Sequence, residues 1–155
     1  MAGSVVVIAY EDLTPGRVIE LGEAVAEREE MIDFAKRYDP QPFHLDDTAA
    51  GASIFRGLAA SGWYTVGLWM RRYVDTVLAD STSMGSPGGT VSWPAPVFAG
   101  DVLRCRLEVL TARCSQTRPE MGIVEIRGTA HRAEDGGEQC VLDATFTALL
   151  GTRSG

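Results

Sequence analysis

"GLAASGWYTVGLWMRRYVDTVL", residues 57–78, carries the clearest helical period in the chain. Leu58, Gly62, Val66, Trp69, Met70, Tyr73 and Val77 recur at steps of three and four, which puts them on one face of a helix. Trp63 and Leu68 fall off that stripe. A helix that is apolar nearly all round is one enclosed by other structure, so this run predicts a long central helix wrapped by the rest of the chain. Its first turns hold Gly57, Ala59, Ala60, Ser61 and Gly62. Side chains this small let a second backbone, or a ligand, come close.

Downstream the apolar period falls to two. "DSTSMGSPGG", residues 80–89, reads as a loop on its turn chemistry. In "DVLRCRLEVL", residues 101–110, Leu103, Cys105, Leu107 and Val109 face one way while Arg104, Arg106 and Glu108 face the other. "GIVEIRGTAHR" (122–132) and "CVLDATFTALL" (140–150) follow the same rule, joined by "AEDGGEQ" (133–139) as a hairpin turn. Upstream, residues 17–27 read as a first strand. "EREEMIDFAKRY", residues 27–38, sets Met31, Phe34, Ala35 and Tyr38 at helical spacing, with acids in its first turn. Pro40 disfavours the α region for its predecessor, so that helix stops near Tyr38 to Asp39. "DDTAAGAS", residues 46–53, predicts a short helix capped by Asp46 or Asp47. One buried helix ahead of long antiparallel strands predicts an α+β fold, a single domain over residues 1–155.

The totals narrow the function classes. A length of 155 residues suits one domain with a real core. The net charge of -7 argues against a general binder of nucleic acid or anionic membranes. Lys36 is the only lysine, so an anionic ligand has to be met by a local group of arginines. No apolar run approaches the roughly 18 residues that span a bilayer. The first residues lack a basic region and acids follow at once, so a cytoplasmic protein is expected. Cys105, Cys114 and Cys140 are odd in number and far apart, which predicts free thiols.

The chemistry concentrates in "RYDPQPFHLDD", residues 37–47, which holds the first of two histidines. Positions five apart on an ideal helix point roughly 140° apart, so Asp39 and His44 do not converge on one. Pro40 and Pro42 also disfavour a regular helix here. The loop must bend, and its prolines restrict the conformations it can take. A rigid loop carrying an acid and an imidazole suits acid–base catalysis. On spacing alone, two solvated turn residues are the commoner explanation.

"DPQPFHLD", residues 39–46, resembles the Asp-x4-His-x-Asp signature of the MaoC-like dehydratases, the (R)-specific enoyl-CoA hydratase family. "GLAASGW" (57–63) is similar to the family's helix start, and "VSWPAPVFAGDVLRCRLEVL" (91–110) to its Trp, Pro-Val and Gly-Asp elements before a long strand. The similarity runs from about Pro15 to Leu150. This resemblance implies the hotdog fold and reversible addition of water to a trans-2-enoyl thioester. It implies Asp39 and His44 as the acid–base pair that activates the water and handles the proton at the α-carbon. It implies the N–H of Gly57, at the helix start, as the oxyanion donor, with Ser61 one turn on. Gln41, Phe43 and Trp93 are the further substrate contacts expected. No cofactor is expected beyond the coenzyme A or acyl carrier protein that the substrate brings. A homodimer or higher homo-oligomer joined through the sheets is also implied, with each site near the interface. Three features depart from the family pattern. Gln41 stands where many members carry Asn, Arg56 where a histidine often precedes the helix glycine, and the stretch from His44 to Gly57 is short. They bear on the substrate more than on the reaction.

Arg56, Arg71 and Arg72 are candidates for the phosphates of coenzyme A, although Arg71 and Arg72 also suit solvated helix charges. His131 shares a strand face with Glu125 and Arg127 and reads as exposed and structural. His44 with Asp46 and Asp47 has no second histidine or cysteine nearby in sequence, so no metal site is expected. "GSPGG", residues 85–89, has no Lys-Ser/Thr after it and is not a P-loop. Two rival readings stay open. One is a hotdog acyl-CoA thioesterase, in which water attacks the carbonyl carbon. The other is a non-catalytic acyl-thioester-binding protein, to which Gln41 is the one pointer.

Overall fold

Alternation of apolar and charged residues builds the sheet, in a computed structural model that describes residues 6–154. Strands β1 (Val18–Val25), β2 (Ser83–Ser92), β3 (Val102–Cys114), β4 (Met121–Glu134) and β5 (Gly137–Gly151) form one antiparallel sheet in the order β1-β3-β4-β5-β2. Leu103, Cys105, Leu107 and Val109 of β3 are buried, as the period of two predicts. β4 and β5 meet at Glu134 and Gly137, and Gly136 turns the chain with φ 84°.

Four helices lie between β1 and β2: α1 (Arg28–Tyr38), α2 (Pro42–Leu45), α3 (Asp47–Gly51) and α4 (Gly62–Tyr73), the last continued by a π-helical turn at Val74–Leu78. α1 buries Met31 and Ala35, whereas Tyr38, expected on the same face, is exposed. Asp46 caps α3 by accepting from the N–H of Ala49 at 2.8 Å. α4 is seated on the sheet by Trp69. Its ring lies over Gly128, where an added Cβ would stand 2.4 Å away, and its Nε1 donates to Arg106 O at 3.1 Å. Only glycine lets an indole approach a strand this closely.

Three expectations need correction. Residues 80–89 are not a loop, because β2 begins at Ser83 and pairs with β5. The glycines that suggested turns are bulge positions: Gly85 and Gly88 have φ of 104° and 143°, and the register shifts beside both. The central helix starts at Gly62, not Gly57. The N–H groups of Ala59 and Ala60 are given to Phe43 O and Val97 O, and Ala59 makes a bridge with Phe98. The small residues at 57–61 therefore admit a neighbouring backbone and do not begin a helix. Nor is α4 wrapped on every side within one chain: Trp63 is 59% exposed and Met70 42%.

Candidate active site

The loop between α1 and α2 brings its acid and its histidine together. Asp39 closes α1, its N–H bonded to Ala35 O at 2.9 Å. The N–H of Gln41 then bonds to Asp39 O at 2.8 Å, a tight bend centred on Pro40. Pro42 opens α2, which carries His44. The expectation that the prolines disfavour a helix fails for Pro42, since proline at the first helical position removes an N–H that would have no partner. Bend and turn together set His44 Nε2 3.3 Å from Asp39 Oδ2.

The imidazole is anchored from behind. His44 Nδ1 lies 2.7 Å from Ala59 O, and a carbonyl only accepts, so the proton sits on Nδ1. In the neutral ring, Nε2 is then an acceptor beside the Asp39 carboxylate. Two acceptors 3.3 Å apart are a natural seat for the two protons of one water. His44 is buried and packs edge-on against Phe43, with ring centroids 4.5 Å apart. Gln41 Nε2 donates to Asp39 Oδ1 at 2.7 Å. Burial raises the Asp39 pKa, but the bond from Gln41, the nearby Ser61 hydroxyl and the field of His44 outweigh it, so its carboxyl titrates below the ordinary 3.8. The Ser61 hydroxyl acts on Asp39 by proximity. It is fully buried and makes no hydrogen bond of normal geometry among the described residues.

Asp39 and His44 open onto a cavity of about 390 Å³ whose wall includes Phe43, Phe55, Trp63, Thr65, Trp93 and Pro96. Trp93 Nε1 donates to Gly62 O at 2.9 Å, and its ring meets Trp63 edge-on at 5.1 Å. An added Cβ at Gly62 would lie 2.5 Å from the Trp93 ring, so this aromatic wall depends on glycine.

Of the residues singled out in the sequence, Asp39, Phe43, His44 and Trp93 line the cavity, and Gln41 and Ser61 sit directly behind the acid. Gly57 does not line it, and its N–H is not at a helix start. The helix start that does face the cavity is Gly62–Trp63. Arg71 and Arg72 belong to the far end of α4. Arg71 pairs with Asp75 at 3.0 Å, and Arg72 donates to Leu21 O at 2.7 Å. Arg56 is exposed beside Phe55, in the left-handed region at φ 56°. His131 is half-buried and not exposed, grouped with Arg106, Glu108 and Arg127 on the outer face of the sheet. Asp46 is committed to its cap and Asp47 to a two-bonded pair with Arg28 (2.9 and 2.7 Å). No group of three or more His, Cys, Asp or Glu suited to a metal occurs among the described residues. No helix among them is long and apolar enough to cross a membrane. Phe55, Trp63 and Thr65 were missed. Thr65 follows Ser61 by four on the helix, which was a readable signal for a shared face.

Comparison with known proteins identifies the family and the fold. A family model described as "MaoC like domain" matches residues 12–129. The crystal structure of a MaoC-like dehydratase from Rhodospirillum rubrum is similar at 34% identity and a TM-score of 0.86, covering 94% of this chain and 98% of that one. The R-hydratase PhaJ1 of Pseudomonas aeruginosa has the same fold at 22% identity and a TM-score of 0.73, over 94% and 87% of the two chains. The protein YdeM of Bacillus subtilis (strain 168), itself uncharacterized, is 26% identical over 117 residues, 75% of this chain and 82% of its own. Sheet, central helix and their order are those of the hotdog fold, and the chain belongs to the MaoC-like domain family.

Proposed function

We propose that this protein is a hydratase/dehydratase that reversibly adds water to a trans-2-enoyl thioester. One observation carries the reading: Asp39 Oδ2 and His44 Nε2 stand 3.3 Å apart at the wall of a largely apolar cavity. In the hydration direction, a water donates to both acceptors and is held over the β-carbon. Its oxygen bonds to that carbon as its proton passes to the pair. The pair then returns a proton to the α-carbon, and the enolate collapses to the 3-hydroxyacyl thioester. The developing charge on the thioester oxygen needs aimed N–H donors. Gly62 and Trp63 line the cavity and open α4, where N–H groups have no intrahelical partner, which supports them as the donors in the role expected of Gly57. Phe43, Phe55 and Trp93 hold the acyl part by burial. Water is the nucleophile and side chains move the protons, so the reading calls for no cofactor beyond the carrier on the substrate. Of the three arginine candidates for coenzyme A phosphates, Arg56 is the one beside the cavity. We also infer a homodimer: β2 is an exposed edge strand, and the open side of α4 next to it is apolar.

The test is incubation with crotonyl-CoA while enoyl absorbance and free thiol are both followed. Absorbance should fall without thiol release. Thiol release would replace this reading with the thioesterase one. Asp39→Asn and His44→Ala should each remove most activity with the fold intact, and an Asp39→Asn variant of wild-type rate would sink the assignment.

A further inference from the structure

We propose that Arg132 is a positioning residue for His44, acting through the strap of residues 94–101. The proposal rests on the reading of Asp39 and His44 as the reacting pair. Arg132 stands on β4, away from the cavity, and its side chain is only 16% exposed. Its guanidinium meets four partners. Nη1 donates to Pro96 O and lies 3.7 Å from Asp101 Oδ2. Nε and Nη2 donate to Glu134 Oε1 at 3.1 and 2.9 Å, and the planar group lies 5.5 Å above the Phe98 ring. A planar fork that binds a carbonyl, meets two carboxylates and stacks on a ring is a clamp that lysine does not reproduce.

The clamped strap leads straight to the histidine. Asp101 also bonds back to the strap, accepting from the N–H of Phe98 at 2.9 Å. On its other side, Val97 O accepts from the N–H of Ala60 at 2.8 Å, and Phe98 bridges Ala59. Ala59 O is the acceptor that fixes His44 Nδ1–H at 2.7 Å. Pro96 and Val97 meanwhile form part of the cavity wall. One guanidinium thus sets the back of the wall, the place of Ala59, and through Ala59 the aim of the imidazole. Nothing else on the sheet side replaces the bond to Pro96 O among the described residues.

A displacement of an ångström at a reacting group costs up to about a hundredfold in rate even when the change is remote. Arg132→Gln should therefore lower kcat roughly tenfold or more, a larger change than the rise in KM for crotonyl-CoA that the loosened wall at Pro96 and Val97 produces. Arg132→Lys should recover only part of the rate. Phe98→Leu, which removes the ring under the guanidinium and changes a residue that does not itself line the cavity, should repeat the loss in kcat. The second readout is NMR of the His44 Nδ1–H in a common His131→Gln background, which leaves a single imidazole. That proton should exchange slowly with solvent in the Arg132-containing protein and rapidly after Arg132→Gln. Unchanged exchange, or a fall in melting temperature with kcat and KM both retained, overturns the proposal. If the protein with Arg132 intact leaves every thioester untouched, the hydratase reading fails, and the exchange experiment still decides whether Arg132 positions His44.

Discussion

Gln41 holds Asp39 from two residues down the chain, its amide nitrogen 2.7 Å from Asp39 Oδ1. The bond leaves Oδ2 as the oxygen that faces His44. The extra methylene that separates Gln from Asn spans the bend at Pro40 and does not push the amide out of the site. Gln41→Leu removes the bond while keeping a side chain of similar size. Burial then acts on Asp39 with less opposition, so its pKa rises. The acid limb of the kcat/KM–pH profile should move to higher pH. An unmoved limb would remove Gln41 from the site.

Two glycines under tryptophans should behave differently. At Gly128 an added Cβ would stand 2.4 Å from Trp69, which is buried in the core and has nowhere to go. Gly128→Ala should cost about 1–3 kcal/mol of stability, read by urea unfolding. At Gly62 the clash is with Trp93, which is 39% exposed and free to swing outward. Gly62→Ala should leave unfolding nearly unchanged and raise KM instead, because the cavity wall opens. Equal stability losses for the two variants would contradict this account of the wall.

Much of this was legible in the sequence, for physical reasons. Leu103, Cys105, Leu107 and Val109 announce β3 because a two-sided strand must alternate. Asp39 and His44 could be paired only through the resemblance of residues 39–46 to the family signature, since their spacing alone fits two solvated turn residues as well. What stayed hidden depends on partners remote in sequence. Gly85 and Gly88 spell a turn locally, and only pairing with β5 makes them bulges in an edge strand. Gly57 to Ser61 carry helical spacing, but Phe43 O and Val97 O take the amides of Ala59 and Ala60 first. Arg132 gave no signal, since its targets Pro96 and Phe98 lie more than thirty residues earlier.

Acid should unfold the protein through its paired carboxylates. Arg127 holds Asp143 below the ordinary 3.8, and Arg153 does the same for Asp12. Asp39 is lowered as well. A carboxyl whose folded pKa is depressed stabilises the fold above its unfolded pKa and loses that contribution as pH falls through the folded value. The melting temperature should therefore hold steady between about pH 5 and 7 and drop below about pH 4. Asp143→Asn should make the drop shallower, measured by calorimetry across that range.

The open side of α4 makes the last prediction. Met70 is 42% exposed on the helix and Met84 45% on β2, and together with Trp63 they leave apolar surface beside an unpaired strand edge. Such an edge is stable in water when a second strand covers it. A two-fold axis across β2 would pair the edge with its own copy and bury Met70 and Met84 against the second chain. Met70→Lys with Met84→Lys should then shift sedimentation from dimer to monomer with the circular dichroism of the fold retained. Both cations would be placed where the pairing needs apolar contact, and neither residue touches Asp39, His44 or the strap that positions them. A wild-type chain that sediments as a monomer at micromolar concentration would refute the pairing. A double variant that stays dimeric would move the interface away from this face.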